Sequence, residues 1–106
     1  MSDDAALKAK VEVLAKVFSG RLHVRFEKMN EAFALCQSDG DDSHWIELLR
    51  LLHSLAGAAG SFGFDALGQE AAGIEHQVKA LLAQPRRHAH DIIRIGQALT
   101  ALQSTR

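Results

Sequence analysis

Apolar residues recur every three or four positions along almost the whole chain, and this spacing limits the folds that the chain can adopt. One such row consists of Leu67, Ala71, Ile74, Val78 and Leu81. An α-helix turns once every 3.6 residues, so side chains spaced in this way lie on one helix face that can be buried. Rows with similar spacing begin at Leu7, Trp45 and Ile92. The pattern therefore predicts an all-α protein.

Short clusters of turn-forming residues divide these rows into helical segments. The clusters are residues 38–42, 61–63 and 84–86, and the last contains Pro85, the only proline. Its ring cannot continue the helical hydrogen-bond ladder, so the fourth segment is expected to end there. Helices joined by short connections favour antiparallel neighbours. We expect an antiparallel up-and-down four-helix bundle, with residues 7–18 as an additional short N-terminal helix or helical extension.

Local signals mark the helix ends. The N-terminal row runs through Leu7, Val11, Leu14, Phe18, Leu22, Phe26, Met29, Phe33 and Cys36. Across residues 18–26 this row takes two successive steps of four, so it drifts around the helix axis, and a kink or short break is expected near residues 19–20. Asp42 or Ser43 is expected to cap the third segment, and Asp65 supplies an acidic first turn for the fourth.

Length, charge and cysteine content exclude several classes of protein. The 106 residues suit one domain over residues 1–106, and 47% apolar with 24% charged residues is the balance of a soluble globular protein. A formal net charge of −1 argues against a nucleic-acid binder. No apolar run approaches the roughly 18 residues of a membrane span, and residues 1–10 lack the apolar stretch of a signal peptide. The single cysteine, Cys36, excludes an internal disulfide and fits a reducing compartment, so we expect a cytoplasmic protein.

One histidine and two glycines share a stripe of the predicted third helix. His53 lies about 100° around the axis from Leu52, at the edge of the buried face, and Gly57 and Gly60 lie on the following turns. A glycine within a helix costs about 1 kcal/mol relative to alanine, so stability alone would not select either one. Their missing side chains leave room beside the imidazole for another molecule. The alternatives are a structural histidine at the core boundary and glycines that permit close helix packing.

Residues 53–64, with the sequence HSLAGAAGSFGF, resemble the phosphoacceptor motif of histidine-containing phosphotransfer (HPt) domains. In that family the motif runs histidine, any residue, leucine, often lysine, glycine, and then small, variable and apolar residues before a final glycine. A second stretch of the family pattern is matched by Leu67, Ala71, Ile74 and Glu75. The resemblance implies that His53 carries a phosphoryl group in a phosphorelay and exchanges it with an aspartate of receiver domains.

The environment of a phosphohistidine at this position is expected to include Arg50, Ala56, Gly57 and Glu75. The chain departs from the family at Ala56, where many members have lysine. Arg50 lies one turn before His53 and is the candidate to balance phosphate charge instead, with a solvated surface arginine as the alternative. In some members an acidic or amide side chain at the position of Glu75 contacts the histidine. The resemblance thus implies that Glu75 accepts a hydrogen bond from Nδ1 and leaves Nε2 as the nucleophile.

We expect a phosphoryl carrier and not an enzyme. The chain has no ATP-binding motif and no acidic cluster dedicated to magnesium, so no cofactor or metal site is predicted on it, and the receiver is expected to bring magnesium and most catalytic groups. The resemblance implies receiver domains of response regulators or hybrid sensor histidine kinases as partners. The predicted docking surface comprises Ile46, Leu49, Gly57 and Gly60.

Two other functions stay open on the sequence. One is the phosphoacceptor domain of a chemotaxis-type kinase, and the other is an adaptor bundle in which His53 is never modified. The apolar patch formed by Ile46 and Leu49 is small, so a monomer is expected.

Overall fold

The computed structural model describes residues 3–104, and these residues form five α-helices without any strand. The helices are α1 (Asp3–Gly20), α2 (Leu22–Asp39), α3 (Asp42–Ser61), α4 (Asp65–Leu82) and α5 (Ala89–Ser104). The all-α class predicted from the apolar spacing is confirmed. Residues 1–2 and 105–106 of the expected single domain lie outside the described residues. Within the described range, no helix is both long enough and apolar enough to cross a membrane.

The core is built from one buried row on each of α2 to α5. Helix α3 contributes the most deeply buried row, whose members are Trp45, Leu48, Leu52, Leu55 and Ala59. This helix packs against both α2 and α4, while α5 contacts α4 and α2. The four helices therefore enclose one shared interior. Burial of these faces, more than intrinsic helix propensity, stabilises helices of this length in water.

A three-residue turn makes α3 and α4 neighbours. Gly63 adopts a φ of 84°, a left-handed conformation that glycine reaches without steric cost. The backbone N–H of Phe64 donates to the carbonyl oxygen of Ala59 at 2.8 Å and closes the turn. Asp65 then lies in the first turn of α4, as predicted, where a carboxylate interacts favourably with the helix dipole.

Two helix ends differ from the sequence prediction. The N-cap of α3 is Asp41, not Asp42 or Ser43. Asp41 has an extended backbone (φ −64°, ψ 135°), and its carboxylate accepts a hydrogen bond from the backbone N–H of Ser43 at 2.9 Å. Asp42 instead forms part of the first turn. Helix α4 ends at Leu82, before the predicted stop at residue 85, with Ala83 as its C-cap. Gln84 directly precedes Pro85, and a residue in that position disfavours helical backbone, so the helix cannot continue up to the proline.

The N-terminal helix is longer and more exposed than expected. With 18 residues, α1 is as long as α2, and a single-residue break at Arg21 separates the two beside the predicted position. Phe18 is the one buried residue of α1 in the described chain. Leu7, Val11 and Leu14 belong to the predicted N-terminal row but are exposed. The apolar spacing correctly indicated a helix here, but this part of the row does not face the core.

Candidate functional site

His53 combines an exposed ring with a fixed position. Its side chain is 79% exposed, while the neighbouring Leu52 and Leu55 are fully buried and hold this part of α3 against the core. The Nδ1 atom of the ring lies 2.9 Å from Oε2 of Glu75, which projects from α4. Two packed helices thus place an accessible imidazole against a carboxylate.

Glu75 is the one charged residue that is buried in the described part of the chain. A buried carboxylate is costly unless it is paired. Its Oε2 atom is paired twice, with Nδ1 of His53 and with Nζ of Lys79, 3.4 Å away. Lys79 was missed in the sequence analysis, although its position four residues after Glu75 on a predicted helix was a usable signal. The site therefore contains a cation as well as the histidine and the acid.

The hydrogen bond to Glu75 selects one form of the neutral imidazole. A carboxylate oxygen only accepts hydrogen bonds, so the proton of the neutral ring lies on Nδ1. The lone pair is then on Nε2 of His53. An imidazole oriented by a carboxylate in this way is suited to nucleophilic attack.

A shallow concavity beside the ring is formed by α3 and α4. Its lining comprises His53, Ala56, Gly57, Gly60, Asp65, Gly68, Gln69, Ala72 and Glu75. A Cβ atom added at Gly57 or Gly60 would meet nothing within 4 Å, so helix packing does not require either glycine. Gly68 differs, because its Cβ would lie 3.3 Å from the carbonyl oxygen of Ala56. Gly68 thus brings the two helices close, whereas Gly57 and Gly60 leave the surface beside His53 free of side chains.

The comparisons with known proteins agree with this geometry. A family model described as "Hpt domain" matches residues 13–105, nearly the whole chain. This chain is an Hpt domain. The resemblance stated for residues 53–64 is confirmed. Hpt domains serve histidine phosphotransfer in two-component signalling and interact with receiver domains. Searches of curated proteins and of solved structures found no match.

Arg50 lies outside the concavity of this Hpt domain. Its guanidinium group donates to both carboxylate oxygens of Glu47, at 2.9 and 2.6 Å. These hydrogen bonds hold the pKa of Glu47 below its ordinary value. Arg50 also lines a separate groove where α1, α2 and α3 meet, together with Arg25 and Lys28. The structure gives Arg50 a carboxylate partner, and its contact with phosphate stays a prediction.

The predicted docking residues fall into two groups. Gly57 and Gly60 line the concavity beside the imidazole. Ile46 and Leu49 lie two turns and one turn before His53 on α3, where Ile46 is 57% exposed and Leu49 is half-buried against the core. A partner that covers both groups would therefore contact α3 along several turns.

The potential metal ligands of the Hpt domain do not gather into one cluster within the described residues. Across residues 3–104, no three His, Cys, Asp or Glu side chains lie close enough together to hold a metal ion. Asp65 and Glu75 both line the concavity, but Glu75 is already engaged by His53 and Lys79.

Proposed function

We propose that this Hpt domain is a carrier in a multistep phosphorelay. It takes a phosphoryl group from an aspartate of one receiver domain onto Nε2 of His53 and passes it to an aspartate of another. The observation that carries this proposal is the 2.9 Å hydrogen bond between the buried Glu75 and an imidazole that is largely exposed.

The transfer step follows from the hydrogen bond. The Nε2 lone pair of His53 attacks phosphorus, an N–P bond forms, and the P–O bond of the aspartyl phosphate breaks as its electrons return to the aspartate carboxylate. The proton stays on Nδ1, so the phosphorylated ring carries a positive charge. The carboxylate of Glu75 offsets that charge. In the onward step the same charged ring is the leaving group.

The absence of side chains at Gly57 and Gly60 in the concavity supports this chemistry. In-line transfer requires the two reacting groups to approach closely, because phosphoryl transfer depends on positioning and on neutralising charge. Gly57 and Gly60 leave space for a receiver's active site beside His53. We propose that the receiver supplies magnesium and most of the catalytic groups, so that the Hpt domain acts as carrier and not as an enzyme in its own right.

The docking surface extends from the concavity along α3. We propose that Ile46 and Leu49 contact the receiver together with Gly57 and Gly60, because apolar side chains around an exposed nucleophile suit a transient protein interface. The receivers would belong to response regulators or hybrid sensor histidine kinases. Cys36, a buried free thiol, is typical of a reducing compartment and supports a cytoplasmic location.

We also propose that α2 to α5 form the antiparallel up-and-down bundle expected from the sequence. The connections between them are short, comprising residues 40–41, 62–64 and 83–88. Each consecutive pair of these helices is in contact, and α5 returns to α2. Short connections between contacting helices favour antiparallel neighbours.

The experiment is a two-step transfer assay. A receiver carrying radiolabelled phosphoryl aspartate is mixed with the protein, and the expected result is an acid-labile, base-stable label on the chain. His53→Gln should abolish the label, whereas His76→Gln, which alters an exposed histidine of α4, should retain it. Adding a second, unlabelled receiver should then remove the label from the chain.

The two other functions predict different results in this assay. An adaptor bundle would acquire no label from any receiver. A chemotaxis-type phosphoacceptor would acquire label only from a kinase with its own ATP-binding module. Label that persists in His53→Gln would contradict the assignment of His53.

A further inference from the structure

Helix α1 carries a wide apolar face that the described chain leaves exposed. The exposed fractions are 62% for Leu7, 41% for Val11, 61% for Val13, 52% for Leu14 and 52% for Val17. These five residues, which we call the α1 face, span nearly three turns of the helix. Several adjacent exposed apolar side chains on one helix indicate an interaction surface. This surface is larger than the pair Ile46 and Leu49, on which the expectation of a monomer rested.

The shape of the molecule shows that α1 extends beyond the bundle. Its principal extents are 59 × 23 × 22 Å. An 18-residue helix is about 27 Å long, so the long axis requires two helices placed nearly end to end. Helices α1 and α2 are separated by a single residue and can therefore lie nearly end to end. Only the C-terminal end of α1 is anchored to the bundle, where Phe18 packs against Phe62 and Phe64. A helix with so few tertiary contacts is only marginally stable in water, so the rest of α1 needs a partner to remain folded.

The spacing along α1 fits a second helix of the same kind. Leu7, Val11 and Leu14 are separated by steps of four and three, and the next residue of this row, Phe18, is already buried in the chain's own core. Steps that alternate between three and four are the a and d positions of a coiled coil, where each side chain inserts between side chains of the facing helix. The lysines and glutamates of a soluble coiled coil occur at the remaining positions, as Lys8 and Glu12 do here.

The charges along α1 favour antiparallel pairing with a second copy. Asp3 and Asp4 begin the helix, and Arg21 and Arg25 follow its other end. A groove at that end is lined by apolar and basic residues, which include Leu14, Val17, Phe18, Arg21, Arg25 and Lys28. Two antiparallel copies would place the acidic start of each helix at the basic groove of the other. Parallel copies would instead place like charges together.

We propose that α1 is a dimerisation helix through which two copies of this chain pair antiparallel. In the register where Val11 of one copy faces Leu14 of the other, Leu7 lies over the groove that Val17 lines. In the same register Asp4 lies beside Arg21 of the second copy. The contact is isologous, so both ends of the α1 pair are stabilised in the same way. The proposal rests on α1 and is independent of phosphotransfer at His53.

Association and helix content test the proposal together. Sedimentation velocity and far-UV circular dichroism are measured on the full chain from about 1 µM to about 1 mM. We expect a monomer–dimer equilibrium in this range, with a helical signal that rises with concentration as α1 folds on pairing. A chain that is monomeric over the whole range, with a constant helical signal, would overturn the proposal.

A matched pair of variants tests the α1 face. Val11→Glu introduces a charge into the proposed seam of both copies and is expected to weaken dimerisation by at least about tenfold. Ala9→Glu places the same side chain about 160° around the helix from Val11. That position is outside the seam of Leu7, Val11 and Leu14, so this variant should leave the dimer intact. Equal effects of the two substitutions would contradict pairing through this face. A monomeric chain in which Val11→Glu instead weakens binding to a receiver would assign the face to that partner and overturn the dimer.

Charge reversal tests the register. Asp4→Arg and Arg21→Glu should each weaken the dimer, and the chain that carries both reversals should recover most of the lost affinity. Positions 4 and 21 lie about 25 Å apart along one copy, so recovery requires a contact between copies. Two single losses that add in the double variant would exclude the antiparallel register and overturn the proposal.

Discussion

Nδ1 of His53 and Oε2 of Glu75 lie 2.9 Å apart, although one side chain stands in solvent and the other is almost fully enclosed. A carboxylate held in the interface between two helices has few rotamers to choose from, so the imidazole that it binds is oriented without being buried. Accessibility and orientation usually conflict, because surface side chains are mobile. This pair achieves both by placing the fixed partner on α4 and the reactive one on α3.

Removing the carboxylate is expected to slow phosphotransfer. Glu75→Ala should lower the transfer rate on the order of tenfold or more, because the ring loses both its orientation and the neighbouring negative charge. Glu75→Gln should lower it less, because an amide oxygen still accepts the hydrogen bond from Nδ1. Quench-flow with a labelled receiver measures the rate, and ¹⁵N chemical shifts of the ring report the tautomer. An unchanged tautomer in Glu75→Ala would contradict the orienting role, and Gln77→Ala on the exposed side of α4 is the control.

Lys79 is expected to matter more than Arg50 for the charge around the phosphoryl group. Lys79 lies 3.4 Å from the carboxylate that holds the histidine, while Arg50 is paired with Glu47. Lys79→Gln should slow transfer about two- to fivefold, the range of an exposed charge, and Arg50→Gln should slow it less. The comparison uses one receiver at one ionic strength. A larger loss of transfer rate in Arg50→Gln than in Lys79→Gln would show that Arg50 balances the phosphate charge.

Substitutions at Gly57 are expected to change the stability of the protein and its phosphotransfer rate independently. Gly57→Ala should raise the free energy of unfolding by up to about 1 kcal/mol, because alanine favours helix and its Cβ meets open space. Gly57→Phe should remain folded yet block receiver access and strongly reduce transfer to His53. Urea titration and the transfer assay measure the two effects. Full transfer in Gly57→Phe would show that the receiver approaches from elsewhere.

The α3 cap is expected to make stability depend on acidity. The backbone N–H of Ser43 donates to the Asp41 carboxylate and lowers the pKa of Asp41 below its ordinary value. Because the folded pKa is depressed, this contribution is present above the unfolded pKa of about 4 and is lost as the pH falls through the folded value. Asp41→Asn keeps a cap but cannot titrate, so its melting temperature should fall less between about pH 5 and pH 3. Parallel thermal melts across that range compare the two proteins.

Cys36 is expected to be chemically silent in the folded protein. Burial raises the pKa of its thiol to about 11, so almost no thiolate exists near neutral pH. A thiol reagent such as an aromatic disulfide should react only after denaturant is added. Rapid modification of the native chain would show that the C-terminal end of α2 opens readily.

The sequence predicted the elements whose apolar rows face one another. Rows on α3, α4 and α5 were placed correctly because burial and helical spacing impose the same pattern. The prediction of Asp42 or Ser43 places the cap of α3 one or two residues late, since three aspartates lie close together and only the backbone angles identify Asp41 as the cap. The spacing of Leu7, Val11 and Leu14 indicated a helix but could not show what covers it, because a row that binds another molecule has the same pattern as a core row.

The residues of the site could likewise be predicted from the sequence in part, whereas their contacts could not. Glu75 could be named from the family resemblance, but its distance from His53 depends on how closely α4 approaches α3, which Gly68 permits. Arg50 pairs with Glu47, three residues away on the same helix, and not with the region around His53. Spacing along the sequence alone does not show which of these two contacts Arg50 forms. The four-residue spacing of Glu75 and Lys79 permits an ion pair on a helix, but the same spacing occurs between solvated charges, so the sequence alone does not identify Lys79.

The open position of the imidazole also bears on the lifetime of a phosphoryl group attached to it. A phosphoryl group bound to a ring that is 79% exposed has no protein shell to keep water away. Its lifetime is then set by spontaneous hydrolysis of the nitrogen–phosphorus bond and by how soon the next receiver arrives. On the function that we propose, the phosphorylated ring stays open to any receiver that docks, and the protein itself does not lengthen the lifetime of the bond.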